Sequence, residues 1–131
     1  MKELGIYVHI PFCKQKCSYC DFISYSNKNN LVEKYIDTLK KEIKENAEKL
    51  NDYEVTTIYI GGGTPSYIES SYIIESLEVI KKNYNIKKDV EITIEVNPGT
   101  ATKEKLEAYV KVGINRISIG LQSCNDNLLK M

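Results

Sequence analysis

The sequence lacks three features that would place it in a broad class at once: net charge, a long apolar run and an internal repeat. Its 18 basic and 18 acidic residues cancel, so the composition indicates no basic surface for nucleic acid. No apolar run approaches the roughly 20 residues that cross a bilayer, so no transmembrane helix is predicted. With 42% hydrophobic residues, the 131-residue chain has the apolar content of a folded domain rather than of a disordered one.

The sequence also shows no linker composition and no leader at its N-terminus. Met1 to Leu4 lead directly into an alternating, β-branched segment, so we expect no signal peptide. We therefore treat residues 1–131 as one α/β unit. Exposed thiols suit a reducing compartment, which favours a cytoplasmic location.

The four cysteines are unevenly placed along the chain. Cys13, Cys17 and Cys20 have the spacing C-x3-C-x2-C, whereas Cys124 lies far away in sequence. Three thiols on a short loop can converge on a single centre, and their odd number in a tight loop does not suit structural disulfides. We interpret the loop as a metal or cluster site, and Cys124 as a small buried apolar residue.

Two kinds of centre fit three clustered thiolates. A tetrahedral zinc needs a fourth protein ligand, and His9, the only histidine, could complete a Cys3His set. A cubane iron–sulfur cluster normally takes four thiolates, so three would leave one iron open for a substrate or cofactor. Zinc would give the glycine-rich and strand-end motifs no role, and we retain it as a remote alternative for a structural module.

Hydrophobic periodicity predicts the element order βαβαβαβ. Strands are predicted over 5–10, 55–60, 90–97 and 116–121, and helices over 30–50, 71–84 and from about 102 to Gly113, with the start of another at Asp126. Asn30 is the predicted N-cap of the first helix. Its apolar stripe comprises Leu31, Val32, Tyr35, Ile36, Leu39, Ile43 and Leu50. Alternation of this kind predicts a parallel sheet with right-handed crossovers, an α/β unit belonging to an open or closed β/α barrel.

Polar and glycine-rich motifs follow the predicted strands at their carboxyl ends, where parallel β/α folds bind ligands. The cysteine loop follows strand one and the glycine run 61–63 follows strand two, while Glu95 and Asn97 end strand three and Gln122 ends strand four. Strand phase puts Glu95 and Gln122 on the face opposite the apolar residues, so the polar faces can line one interior while the apolar faces lie under the helices. Either side chain could instead be an ordinary satisfied polar group, and Tyr7 an ordinary core residue. The glycine run is not a Walker loop, since no Gly-Lys-Ser/Thr follows.

Five motifs occur in an order that resembles a known family. They are His9-Ile10-Pro11-Phe12-Cys13, Cys17-Ser18-Tyr19-Cys20-Asp21-Phe22, Gly61-Gly62-Gly63-Thr64-Pro65, Ile94-Glu95-Val96-Asn97-Pro98-Gly99 and the stretch 113–123. Together they resemble the radical S-adenosylmethionine (SAM) proteins of the oxygen-independent coproporphyrinogen III oxidase family. The true oxidase carries a fourth cysteine where this chain has Phe22, and this departure resembles the HemW branch of haem chaperones.

The resemblance implies a partial (β/α)6 TIM-like barrel followed by a separate C-terminal domain, with residues 1–131 as the N-terminal portion of the radical SAM core. It implies that Cys13, Cys17 and Cys20 hold a [4Fe–4S] cluster whose remaining iron is chelated by SAM. The residues that the resemblance assigns to SAM binding are Tyr7, Tyr19, Gly62, Gly63, Thr64, Glu95 and Gln122.

The function implied by the resemblance is that of a haem chaperone, which would bind the cluster and SAM and pass haem to client proteins, with a separate electron donor. The alternative is an enzyme, coproporphyrinogen III oxidase, which removes two propionate carboxyls by hydrogen abstraction. Phe22 argues against the oxidase by a single position. The resemblance therefore leaves open whether the protein is an enzyme, and it assigns no catalytic residue within this stretch.

Overall fold

The structure of the protein is a computed structural model, which describes residues 1–12 and 28–119. The predicted cysteine loop, Gln122, Cys124 and the helix predicted to begin at Asp126 lie outside these ranges. The described elements, in chain order, are β1 (Lys2–Ile10), α1 (Lys28–Ala47), a 3-10 turn (Glu48–Leu50), β2 (Tyr53–Gly62), a second 3-10 turn (Pro65–Tyr67), α2 (Ser70–Asn83), β3 (Asn85–Val96), α3 (Lys103–Val112) and β4 (Arg116–Ile119).

The strands form one parallel sheet in the order β1-β2-β3-β4. Spatial order equals chain order, as expected when each helix carries the chain to the next parallel strand. The predicted α/β class and the order βαβαβαβ are confirmed. Because all strands point the same way, their carboxyl ends meet at one edge of the sheet.

The hydrophobic core lies between one face of this sheet and the three helices. Alternate strand residues are buried there, and they pack against apolar positions of α1, α2 and α3, namely Val8, Ile10, Ile58, Ile60, Ile92, Ile94 and Val96 with Val32, Ile36, Ile73, Leu77, Ile80 and Tyr109. Each fully buried aliphatic side chain stabilises the fold by about 1.5–3 kcal/mol relative to exposure. We call this the helix-covered face, and the opposite one the inner face.

Two details of the first helix differ from prediction. It begins at Lys28, so the predicted N-cap at Asn30 is wrong, and Asn30 lies within the first turn. Asn27, Asn29 and Asn30 surround this boundary, so residue type alone could not select the cap. Leu31 is 39% exposed and lies outside the buried stripe, because the helical period places Val32, not its neighbour, towards the sheet.

The third strand begins five residues before its predicted start. Asn85 and Ile86 pair with Glu54 and Val55, and the register then shifts before the pairing of Thr57 with Glu91. Residues 87–90 lie between these pairs and oppose a single residue of β2, so an irregularity interrupts the ladder there. Alternation begins only after this irregularity, and the sequence therefore predicts only the later, regular part of the strand.

The end of the third helix is as predicted. The Thr102 side chain caps the helix by accepting a hydrogen bond from the backbone N–H of Lys105, and Gly113 ends it with a φ of 108°. None of the described helices is both long and apolar enough to cross a membrane.

The outer edge of the sheet departs from the expectation that the apolar strand faces lie under helices. Ile117 and Ile119, which pair with buried residues Ile94 and Val96, are 42% and 66% exposed. Val110 on α3 is also exposed. The reason is topological, since β4 is the last element of the described residues and no helix follows it there.

Candidate functional site at the strand ends

A glycine turn joins β2 to the second 3-10 turn, and it packs directly against the end of β1. Gly62 has a φ of 117°, a conformation that favours glycine. A Cβ added to Gly62 would lie 2.7 Å from His9 Nδ1. A Cβ on Gly63 would lie 2.7 Å from the backbone oxygen of Phe12. The two glycines therefore allow a close approach that no other residue type permits.

Backbone hydrogen bonds fix this approach. The N–H of Gly63 donates to Ile10 O at 2.8 Å, and the N–H of Thr64 donates to Phe12 O at 2.7 Å. Phe12 is the last described residue before the cysteine loop. The glycine turn thus lies beside the backbone that leads into Cys13.

Glu95 on β3 is held against the same turn by two donors from β2. Its Oε1 accepts a hydrogen bond from the backbone N–H of Gly62 at 3.1 Å, and its Oε2 accepts one from the hydroxyl of Tyr59 at 2.8 Å. A Cβ on Gly61 would lie 2.8 Å from Glu95 Oε1, so the carboxylate packs closely against this part of β2. Each carboxylate oxygen of Glu95 accepts a hydrogen bond, and these two bonds hold the negative charge at the carboxyl ends of the strands.

Two tyrosines lie beside this carboxylate on the inner face. The rings of Tyr7 and Tyr59 are stacked, with centroids 5.9 Å apart and an interplanar angle of 23°. Tyr7 is 57% exposed, so the alternative that it is an ordinary core residue is wrong. The pKa of Tyr7 is raised, chiefly by partial burial and to a smaller extent by the negative charge of Glu95. The hydroxyl of Tyr7 is 3.5 Å from His9 Nδ1, which places the only histidine at this site as well.

Tyr59 is the site residue that sequence reasoning missed. The hydrogen bond to Glu95 is the main cause that raises its pKa, and burial adds to it. A signal was available, because Tyr59 lies two residues before Gly61 and its phase is opposite to that of buried Ile58 and Ile60.

The chain after the glycine turn is anchored to the end of β3. Buried Ser66 accepts a hydrogen bond at Oγ from the N–H of Asn97 at 2.9 Å, and its Oγ is 2.6 Å from Thr100 Oγ1. Lys105 Nζ donates to Ser66 O at 2.6 Å, and burial lowers the pKa of this lysine. Asn97 Oδ1 accepts from the N–H of Gly99 at 2.8 Å, so its side chain shapes the turn. This network fixes the glycine turn relative to Glu95.

The structure therefore brings together every predicted SAM contact that it describes. Tyr7, Gly62, Gly63, Thr64 and Glu95 lie at the same edge of the sheet. The remaining predicted site residues, Cys13, Cys17, Cys20, Tyr19 and Gln122, lie outside the described residues. Among residues 1–12 and 28–119, no three His, Cys, Asp or Glu side chains converge as a metal site.

The arrangement has a definite chemical character. A carboxylate with two donors on one side retains lone pairs for a cationic or N–H group of a ligand. The exposed ring of Tyr7 offers apolar contact. A small ligand with a positive charge and a planar ring would match both groups.

Comparison with known proteins identifies the family of the chain. The model of the Radical SAM superfamily matches residues 7–131. The heme chaperone HemW of Buchnera aphidicola subsp. Schizaphis graminum is 48% identical over 131 residues, which are 99% of this chain and 35% of that protein. The Escherichia coli heme chaperone HemW is 39% identical, with the same coverage of 99% and 35%. The solved structure of Escherichia coli coproporphyrinogen III oxidase (HemN), a radical SAM enzyme, superposes with a TM-score of 0.82 at 31% identity and covers 98% of this chain and 30% of that one.

The fold is that of a parallel α/β protein whose predicted ligand-binding residues, where described, lie at the carboxyl ends of its strands. The chain belongs to the Radical SAM superfamily. It spans about a third of the length of the curated relatives that it matches, at 35% for the HemW proteins of Buchnera and Escherichia coli.

Proposed function

We propose that the protein binds a [4Fe–4S] cluster and SAM and acts as a haem chaperone of the HemW type. The observation that carries the proposal is the fixed carboxylate of Glu95 beside the Gly62–Gly63 turn, directly next to the entry of the cysteine loop. The relatives at 48% and 39% identity are named heme chaperones, which supports the haem-related part.

In this proposal Cys13, Cys17 and Cys20 ligate the cluster. The donor set fits, since three thiolates leave one iron open to a cofactor. The hydrogen bond from Thr64 to Phe12 supports the location, because it brings the start of the cysteine loop to the glycine turn. When bound, such a cluster supplies the electron for reductive cleavage of SAM.

The residues of this chain would bind and orient SAM. Glu95 would offer a carboxylate to the polar groups of SAM. The turn at Gly62, Gly63 and Thr64 would offer backbone carbonyl oxygens, since its N–H groups already donate within the protein. Tyr7 offers an exposed ring for packing. Tyr19 and Gln122 complete the proposed set from the cysteine loop and the end of the fourth strand.

The wider role is proposed by analogy with the relatives. Residues 1–131 would form the N-terminal portion of a radical SAM core domain, with the remaining barrel and a C-terminal domain in the rest of the protein. Haem or a porphyrin would be the cargo, haem-receiving proteins would be the clients, and a separate electron donor would reduce the cluster. The proposed location is the cytoplasm.

A second candidate is coproporphyrinogen III oxidase activity. It is favoured by the superposition on the oxidase structure and by 31% identity to the Salmonella typhimurium oxygen-independent coproporphyrinogen III oxidase. Against it stand the higher identities to the heme chaperones and Phe22 at the position of the oxidase's additional cysteine.

The test uses the full-length protein, purified without oxygen and reconstituted with iron and sulfide. Electron paramagnetic resonance of the reduced protein should show a cluster signal that SAM perturbs, and a variant lacking the three loop cysteines should show none. The same preparation is then given haem or coproporphyrinogen III. Stoichiometric haem binding without protoporphyrinogen IX formation supports the chaperone, whereas multiple turnovers to protoporphyrinogen IX would establish the oxidase. A colourless protein that binds zinc instead would contradict both.

A further inference from the structure

We propose that Tyr59 is a positioning residue, which fixes the Glu95 carboxylate in the orientation that receives SAM. The inference rests on the proposed function, in which Glu95 contacts SAM. It assigns a role to a side chain that none of the sequence motifs includes.

The first observation is the way in which the two oxygens of Glu95 are held. The N–H of Gly62 donates to Oε1 and the hydroxyl of Tyr59 donates to Oε2, at 3.1 and 2.8 Å. One hydrogen bond would leave the carboxylate able to rotate about its last single bond. Two donors on different oxygens fix its plane, and therefore the direction in which its remaining lone pairs point.

The second observation is that the Tyr59 ring is itself fixed. Tyr7 stacks on one side at 5.9 Å between centroids. On another side, a Cβ at Gly61 would come within 2.8 Å of Tyr59 Cε1, so the ring lies close against the strand backbone. A rigid side chain with few rotatable bonds can hold an acceptor at low entropic cost.

The third observation concerns charge. The hydrogen bond to Glu95 chiefly raises the pKa of Tyr59, and burial raises it further, while a hydrogen bond from Ser118 and the charge of Arg116 act in the opposite direction. With its pKa above the usual value near 10, the phenol remains protonated at neutral pH and stays a donor.

A purely structural role fits these observations less well. The core lies on the helix-covered face, where Ile58 and Ile60 flank Tyr59 in sequence and are almost completely buried. The hydroxyl of Tyr59 contributes nothing to that core. This hydroxyl instead reaches across the sheet, where it donates to the carboxylate of Glu95 and receives a hydrogen bond from Ser118.

The experiment compares SAM affinity among single and double variants of the full-length, cluster-reconstituted protein. Tyr59→Phe removes only the hydroxyl, Glu95→Gln removes the charge but keeps an acceptor oxygen, and Glu95→Ala removes both the charge and the acceptor. Tyr53→Phe is the matched control, because Tyr53 lies at the opposite end of the same strand, with its ring 5.8 Å from Lys2 Nζ. Equilibrium dialysis under anaerobic conditions gives each dissociation constant.

We expect Tyr59→Phe to weaken SAM binding by about five- to tenfold, less than the full loss of a charge-assisted hydrogen bond, because the N–H of Gly62 still holds the other oxygen of Glu95. Tyr53→Phe should bind SAM as the wild type does. In the Glu95→Ala background, Tyr59→Phe should add less than about a twofold loss, because a residue that acts through another has little effect once that partner is removed.

A second readout does not depend on SAM. With tyrosine labelled by carbon-13 at Cζ, the Tyr59 resonance should titrate at lower pH in Glu95→Gln than in the wild type, since the carboxylate partner is gone. An unchanged titration would show that the two side chains do not interact in solution, and would overturn the inference.

The outcomes separate the two proposals. If the wild type does not bind SAM, the proposed function fails and the role of Tyr59 in SAM binding fails with it. If the wild type binds SAM and Tyr59→Phe binds it equally well, the proposed function stands and the inference is overturned. An equal loss with and without the Glu95→Ala change would show that Tyr59 acts independently of Glu95, which also overturns it.

Discussion

The two faces of the sheet are built from alternate residues of the same strands, yet they differ in almost every property. On β1, Val8 is 3% exposed on the helix-covered face, while its neighbour Tyr7 is 57% exposed on the inner face. On β2, buried Ile58 and Ile60 flank Tyr59, whose hydroxyl reaches Glu95. Stability and ligand binding are therefore assigned to opposite faces, and substitutions one residue apart should affect one without the other.

The largest expected effect is on the helix-covered face. Ile94 is completely buried, so Ile94→Ala should lower the free energy of unfolding by about 2–5 kcal/mol, from lost burial and the cavity that remains. Urea denaturation of the full-length protein measures it. Ile119→Ala is the control. Ile119 lies on the same face of the sheet as Ile94, on the neighbouring strand β4, but its side chain is 66% exposed among the described residues. A large loss at Ile119 would show that another part of the protein covers it.

The next largest effect is expected at the glycine turn at the strand ends, where one substitution should affect both stability and ligand binding. Gly62→Ala should lower the free energy of unfolding by about 1–3 kcal/mol, since φ is 117° and the new Cβ would meet His9. It should also weaken SAM binding, measured by equilibrium dialysis. Gly99→Ala is the milder control, with its Cβ at 3.2 Å from the side chain of Asn97. Equal costs at the two glycines would contradict the strained-turn explanation.

The two faces also differ in how far they could be predicted from the sequence. On β3 the helix-covered face follows from periodicity, because strand phase puts Ile92, Ile94 and Val96 on it. The same phase does not predict burial correctly on β4, where Ile117 and Ile119 are exposed. On the inner face, phase places Glu95 correctly but does not show what it bonds to. Tyr59 opposes Thr93 in the ladder, and its hydroxyl reaches Glu95 diagonally.

That diagonal contact depends on the register between β2 and β3. The register shifts between Val55 and Thr57, and local composition gives no sign of such an irregularity. The same limit applies to Lys105, whose ammonium bonds to the backbone of Ser66 across a long separation in sequence. Motifs locate a site, whereas the contacts that orient its side chains come from tertiary structure.

A smaller effect is expected at the N-terminal cap of α3, one of the helices that pack on the helix-covered face. Thr102→Ala should lower the free energy of unfolding by about 1 kcal/mol, because the Lys105 N–H loses its acceptor. Thr102→Ser retains an oxygen and should cost less. Urea denaturation distinguishes the two variants, and equal losses would show that the Thr102 methyl group, rather than its hydroxyl, stabilises the helix start.

The smallest effect at neutral pH, and the one with a distinctive pH dependence, is expected at Tyr109 in the core. Its hydroxyl is buried and finds no hydrogen-bond partner among residues 1–12 and 28–119, so Tyr109→Phe should be neutral or stabilising by up to about 1 kcal/mol at pH 8.

Burial raises the pKa of Tyr109 to about 12, above the value near 10 of an unfolded chain. The folded state therefore favours the neutral phenol, and the wild type should lose stability as pH rises from about 10 towards 12, where the unfolded chain releases this proton first. Tyr109→Phe has no such proton to release, so its advantage over the wild type should grow between pH 8 and pH 11 in urea denaturation. The prediction is contradicted if Tyr109→Phe is less stable than the wild type at pH 8 and gains no advantage at pH 11. That result would mean that the hydroxyl of Tyr109 bonds to a residue outside the described ranges. The helix-covered face would then contain a polar contact as well as an apolar core.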